Sequence, residues 1–207
     1  VHQPRLSNAF NPNVVQYRTQ SISDAVAISV APTVEGLHEL FSSLHDLTTE
    51  LLAEGYLLRG AIVKGRLYHD DKMVFGDALV RAYELETQIV RFPRVMITQE
   101  VALDLNIDNP LAKTCQTFMR QADDGPVHLH PMRRMLLEFN NAPTKPDDVE
   151  DDRFGEYHRV RQMLQRRLYT AMDNPRHFEK VQWFARYWNR HLPDGSASFR
   201  VKGPGLD

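Results

Sequence analysis

The 207-residue chain has a single cysteine, Cys115, and no excess of either charge: 25 Lys plus Arg stand against 27 Asp plus Glu, for a formal net charge of -2. One cysteine excludes an intramolecular disulfide framework and any multi-cysteine zinc site. It suits a reducing compartment, so the cytoplasm is the expected location. The balanced charge argues against a domain whose main task is to grip nucleic-acid phosphates, and against a disordered acidic tail. Long apolar runs are missing as well. Stretches such as Ala25 to Ala31 are far too short to span a bilayer, so no membrane association is expected, and no basic-then-apolar leader opens the chain. The first residue is Val1 and no acidic residue precedes Asp24. What is present, 42% hydrophobic and 25% charged residues, is an ordinary globular composition sized for one large domain or a domain with an appended subdomain.

Residues 1 to 13 are rich in Asn, Pro and Gln without periodicity and read as loop. Val14 to Ser21 and Ala25 to Val30 are β-prone runs separated by Ile22, Ser23 and Asp24, a hairpin pattern with Asp24 at or beside the turn. Residues 34 to 54 carry Val34, Leu37, Leu40, Phe41, Leu44, Leu47, Leu51 and Leu52 at helical spacing, with Gly55 as the stop. Tyr56 to Gly65 reads as a strand, followed by the short strand Arg66 to His69 and a polar turn at Asp70 to Lys72. Gly76 opens a second helical pattern through Ile89, closed by Pro93, and Arg94 to Thr98 is a strand. A short helix is expected over 109 to 122, a turn at Asp123 to Gly125 and a brief strand at Val127 to Leu129. Two prolines and five acidic residues mark 141 to 152 as an exposed linker. Helices follow over 153 to 172 and 175 to 191, then a flexible Gly203-Pro-Gly205 tail. The arrangement is α/β (α+β): one domain over 1 to 140, the linker, and a helical segment over 153 to 207.

Chemistry concentrates between Asp24 and Arg94. A glycine that opens a helix leaves backbone N–H groups at the positive end of its dipole, so Phe75-Gly76-Asp77 is a candidate anion site, although packing or capping explains such a glycine more often. Arg159, Arg161, Arg166 and Arg167 read as a solvated helix face rather than a phosphate surface. His128 and His130 form a pair without a third spaced ligand, expected to be surface histidines rather than a metal site. Cys115, inside a helical stretch with no fixed basic neighbour, is expected to be a buried or inert thiol.

As an ordered set, Ser23-Asp24-Ala-Val, Leu58-Arg-Gly-Ala-Ile-Val-Lys-Gly65, Val74-Phe-Gly-Asp-Ala-Leu79, Ala82-Tyr-Glu-Leu-Glu86 and Phe92-Pro-Arg-Val95 resemble the bacterial pyrimidine nucleotide cyclases of Pycsar anti-phage defence, within the class III nucleotidyl cyclases. The resemblance runs from about Gln16 to Thr98, with a weaker echo in Asp124-Gly125 and Trp183 to Asn189. It implies an antiparallel-rich sheet with flanking helices and a C-terminal helical extension. It also implies a homodimer with composite active sites, and a reaction that turns UTP, or alternatively CTP, into a 3′,5′-cyclic nucleotide acting on a separate effector protein.

The same resemblance assigns residues. Asp24 would be a ligand of a two-ion Mn²⁺ or Mg²⁺ centre, and hard oxygen donors suit those ions. The family's other metal aspartate lies on a first strand in a Phe-x-Asp-x-x-Gly pattern that nothing before Asp24 matches, so a longer native chain is expected. Gln20 stands where adenylyl cyclases carry a base-reading lysine and Met73 where they carry its partner aspartate. Gln20 offers both a donor and an acceptor to a pyrimidine edge, and its amide is free to present either uracil or cytosine with a match. Tyr17 or Arg18 would wall the base pocket, and Phe75 and Gly76 would complete the substrate site. Val80 and Glu84 replace the asparagine and arginine of adenylyl cyclases. That leaves Arg81 or Arg94 as the donor to phosphate oxygens, with a structural salt bridge to Glu84 or Glu86 an equal reading for each. Two rivals accompany this reading: a cyclase-like nucleotide-binding regulatory module that has lost catalysis, and an adenylyl cyclase with unusual base contacts.

Overall fold

The computed structural model describes residues 15–141 and 154–206, a mixed α/β chain with several small sheets. Its residues divide into two compact units. The N-terminal unit takes 15–48, 59–90 and 94–130; the C-terminal unit takes 49–58, 91–93, 131–141 and 154–206. The helical C-terminal unit therefore recruits Pro131 to Asn141, upstream of the linker seen in the sequence. That acidic linker and the first thirteen residues lie almost wholly outside the described residues.

In the N-terminal unit, β1 (Arg18–Ile22) and β2 (Ala25–Ser29) form a tight antiparallel hairpin whose register ends at Ile22 opposite Ala25. Only Ser23 and Asp24 remain for the turn, and Ser23 takes a left-handed φ of 57° to close it. Helix α1 (Val34–Ala53) follows, and Gly55 ends it at a φ of 88°, a conformation glycine adopts without a side-chain clash. Leu37, Leu40, Phe41 and Leu52 are buried as their spacing predicts. So are Glu39, Ser43, His45, Thr48 and Thr49, which makes α1 a more enclosed helix than its amphipathic pattern suggests.

The main sheet has the order β3 (Gly60–Ile62), β6 (Val95–Ile97), β8 (Val127–Leu129), β7 (Met119–Gln121). The β3–β6 pair is parallel and the other two pairs are antiparallel. All three residues of β6 are buried, as a central strand covered on both faces requires. Between β3 and β6 the chain makes a second hairpin, β4 (Tyr68–His69) with β5 (Val74–Phe75), and then α2 (Asp77–Glu84), whose last turn widens into a π-helical segment over Leu85–Ile89. Helices α3 (Gln99–Asp104) and α4 (Pro110–Gln116) precede β7. The side chain of Asn109 caps α4, its Oδ1 accepting from the N–H groups of Leu111 and Ala112 at 2.8 and 3.1 Å.

Two sequence expectations change here. The helix expected over 109 to 122 stops at Gln116, because Met119–Gln121 pairs with β8 and ladder pairing overrides local helical preference. His128 and His130 are fully buried on and beside β8, not on the surface, and the Nδ1 of His128 lies 2.9 Å from the Leu129 carbonyl.

The C-terminal unit contains α5 (Arg133–Asn140), α6 (Gly155–Thr170) and α7 (Pro175–Arg190). Tyr157, Val160, Leu164 and Leu168 of α6 and Val181, Phe184, Ala185 and Trp188 of α7 recur at three- and four-residue spacing and share one core. The tail, expected from its glycine and proline content to be flexible, is hydrogen-bonded along α7. Asn189 clamps Val201 by donating to its carbonyl and accepting from its N–H, both at 2.8 Å. Trp188 donates to the Phe199 carbonyl, and Gln182 and Arg186 both donate to Gly205. Backbone polar groups that the composition left to solvent are thus satisfied along α7.

Candidate functional site

The two hairpins of the N-terminal unit meet face to face. Register puts Arg18 opposite Ser29 and Gln20 opposite Ala27, so these side chains share one face of the β1–β2 ribbon. That face meets the 68–75 hairpin. Arg18 Nη1 reaches Asp71 at 3.3 Å, Gln20 Nε2 donates to the Lys72 carbonyl at 3.1 Å, and Ser29 Oγ lies 2.7 Å from His69 Nδ1. The 70–73 turn is held for this contact by Asp70, whose Oδ1 accepts from the N–H groups of Lys72 and Met73 and whose Oδ2 accepts from the Tyr68 hydroxyl. The Lys72 N–H first, then the Tyr68 hydroxyl and the Met73 N–H, hold the Asp70 carboxyl below the usual carboxylate range.

Gln20 and the Met73 segment, singled out as the two base-reading positions, are therefore adjacent in one unit. A carbonyl oxygen only accepts, so the bond to Lys72 fixes the Gln20 amide with Nε2 toward the turn and leaves Oε1 facing inward. Met73 is 48% and Phe75 54% exposed, and Phe75 stacks on Tyr68 with ring centroids 5.0 Å apart. Tyr17 points to a different place: its half-buried phenol neighbours Ser43 and Glu39 of α1, and burial raises its pKa. Of the two candidate wall residues only Arg18 reaches the hairpin seam.

Gly76 has a structural task. Its φ is 139°, and a Cβ there would lie 2.5 Å from the Arg66 carbonyl oxygen, so only glycine lets the chain cross this point. The same carbonyl takes the Ala78 N–H at 3.2 Å, and Asp77 brings its own negative charge to the first turn. With an amide used and a carboxylate present, the α2 N-terminus is poorly suited to an anion. The capping reading of Gly76 is the one its geometry favours.

The candidate arginines are both held by carboxylates, though not by Glu84 or Glu86. Arg81 Nη1 lies 3.2 Å from Glu100 and is half exposed. Arg94 is buried, with 3% of its side chain exposed, and grips Asp124 with two parallel bonds of 2.7 Å. That bidentate bond, above all, holds the Asp124 carboxyl below its usual range. Glu86 pairs instead with Arg59. In the sequence Asp124 stands out as a turn residue and as part of the weaker echo of the resemblance; a Pro-Arg dipeptide and an Asp-Gly turn thirty residues apart give no local sign of pairing.

Asp24 is an exposed turn residue. No group of three or more His, Cys, Asp or Glu side chains arranged to hold a metal ion occurs among the described residues. Cys115 is fully buried, and burial pushes its thiol up to about 11. Among the described residues no helix is long and apolar enough to cross a membrane. No family model, curated protein or solved structure matches the chain.

Proposed function

We propose that the chain is a pyrimidine nucleotide cyclase. The ribose 3′-oxygen of UTP attacks its own α-phosphorus, the bond from that phosphorus to the bridging oxygen breaks, and pyrophosphate leaves as the 3′-hydroxyl gives up its proton. The products are 3′,5′-cyclic UMP and pyrophosphate, with CTP as the alternative substrate. The observation that carries this reading is the hydrogen bond from Gln20 to the Lys72 carbonyl beside Met73. The two positions at which the resemblance expects base readers are neighbours within one unit, and neither carries the charge that an adenine reader uses. Homodimerisation, two Mn²⁺ or Mg²⁺ ions and a second-messenger role toward a separate antiviral effector belong to the same proposal. The residues described here provide Asp24 alone toward the ions, so no step is assigned through them.

A specific observation favours a second reading, a nucleotide-binding regulatory module without catalysis. Arg81 and Arg94, the two candidate phosphate donors, are engaged by Glu100 and Asp124. Incubation of the protein with each of the four NTPs and Mn²⁺, followed by mass analysis, separates the readings. A cyclase forms a cyclic pyrimidine nucleotide and loses that activity in Asp24→Ala. Binding of UTP without any cyclic product supports the regulatory module and ends the cyclase reading.

A further inference from the structure

The near-zero net charge of the chain conceals a separation of sign. Over 154–206 ten Lys and Arg stand against four acidic residues, Glu156, Asp173, Glu179 and Asp194, whereas acidic residues outnumber basic ones in the N-terminal unit. The two units also treat their cations differently. In the N-terminal unit seven basic side chains lie in ion pairs with carboxylates. Along α6 no acidic residue follows Glu156, and neither Arg159 nor Arg166 has a carboxylate partner among the described residues. Arg159, Gln162, Arg166 and Tyr169 recur at three- and four-residue steps and are all exposed, so they share one stripe of α6, away from the buried stripe of Tyr157, Val160, Leu164 and Leu168. The stripe runs about 15 Å along the helix. At its end Tyr169 is 60% exposed, yet its ring is braced by the tail: a Cβ on Gly203 would lie 3.8 Å from Tyr169 Cε2. The exposed Lys202 adjoins that glycine.

We propose that this stripe, with Lys202, is a docking surface for single-stranded nucleic acid. Arg159, Arg166 and Lys202 take backbone phosphates, and Tyr169 takes the face of a base. The inference stands on the C-terminal unit alone and does not depend on the cyclase reading. Two features favour a polynucleotide strand over other anions. Cations gathered on one stripe with no acid to offset them raise the local potential, and phosphates that replace their counterions release those ions to solution. Guanidinium forks match phosphate oxygens in geometry as well as charge. The exposed ring beside them adds a stacking platform, which an acidic peptide does not use and which a duplex, with its bases already stacked, does not fill. Because the ring is braced before binding, little further order is needed when a base lies on it. Every base has a π-face, so the surface is expected to tolerate sequence.

The test titrates the full chain into fluorescein-labelled oligo(U), oligo(dT), a DNA duplex of the same length and polyglutamate, with anisotropy read from about 50 to 300 mM salt. Both single strands are expected to bind, and log affinity is expected to fall against log salt with a slope of about −2, the value for three phosphate contacts on a single strand. Arg159→Gln combined with Arg166→Gln is expected to weaken binding at least about tenfold and to bring the slope to about −0.7. Arg166→Gln alone, as a milder second variant, is expected to reduce the slope by about 0.7. Tyr169→Leu is expected to weaken binding at least about fivefold at an unchanged slope, while Tyr169→Phe keeps it. A merely structural role for the ring would not produce that split, and melting temperature checks the folding of each variant. Equal affinity for the duplex, or Tyr169→Leu without effect, overturns the single-strand assignment. Polyglutamate binding as tight as oligo(U) overturns the nucleic-acid assignment. Unchanged affinity and slope in the folded arginine variants, or no binding of either single strand at about 50 mM salt, overturns the docking surface itself.

Discussion

At the residue scale, the most constrained ion pair in the N-terminal unit is Arg94–Asp124. Asp124→Asn leaves the buried guanidinium without its carboxylate and is expected to lower stability by about 1.5–3 kcal/mol, the range for hydrogen bonds to charged groups, read as a shift in the urea midpoint. The pH dependence follows in sign. The folded Asp124 carboxyl is depressed below its ordinary 3.8, chiefly by the Arg94 bonds, so its contribution is complete above that value and is lost as pH falls through the lower folded pKa. His69 acts in the same direction in a higher window. Burial first, then the Arg18 charge, lowers its pKa below 6.5, so its neutral form favours folding above that pH and the contribution fades as pH falls through the folded value. Urea midpoints of the wild type are therefore expected to fall from pH 7 to 5 more steeply than those of His69→Gln. Cys115, fully buried and raised to about 11, is expected to resist a thiol reagent at pH 7.5 until denaturant is added. The burial of Cys115 was legible from its place inside a helical stretch with no fixed basic neighbour. The burial of His128 and His130 was not, because nothing local distinguishes a histidine on an enclosed strand from one on an exposed strand.

At the element scale, what was legible followed periodicity and turn chemistry. The β1–β2 hairpin, α1 with its Gly55 stop, α6 and α7 were each written in apolar spacing bounded by turn residues or a Pro at the first helical turn. The strand β7 and the strapped tail were not, since both depend on partners distant in sequence: Val127–Leu129 for one and the side chains of Gln182, Arg186, Trp188 and Asn189 for the other. Two substitutions test these elements. Gly76→Ala combines an unfavourable φ with a clash on the Arg66 carbonyl and is expected to cost at least about 2 kcal/mol, measured by thermal denaturation. Asn189→Ala removes both bonds to Val201 and is expected to cost about 1–3 kcal/mol, with faster hydrogen exchange at the Val201 amide while α6 keeps its protection.

At the scale of the whole molecule, the seam between two hairpins ties the fold to the proposed chemistry. The sequence carried the ordered motifs and the candidate positions Gln20, Asp24, Met73 and Gly76. It did not carry the pairing of Arg94 with Asp124 or the approach of His69 to Ser29, because such contacts are set by how hairpins and loops meet in space. The most direct measurement is a competition assay: equal concentrations of UTP, CTP, GTP and ATP with Mn²⁺ and the full chain, the cyclic products quantified by mass. Cyclic UMP, with cyclic CMP second, is expected to dominate the products. Dominance of cyclic AMP or cyclic GMP, or the absence of any cyclic nucleotide, would contradict it.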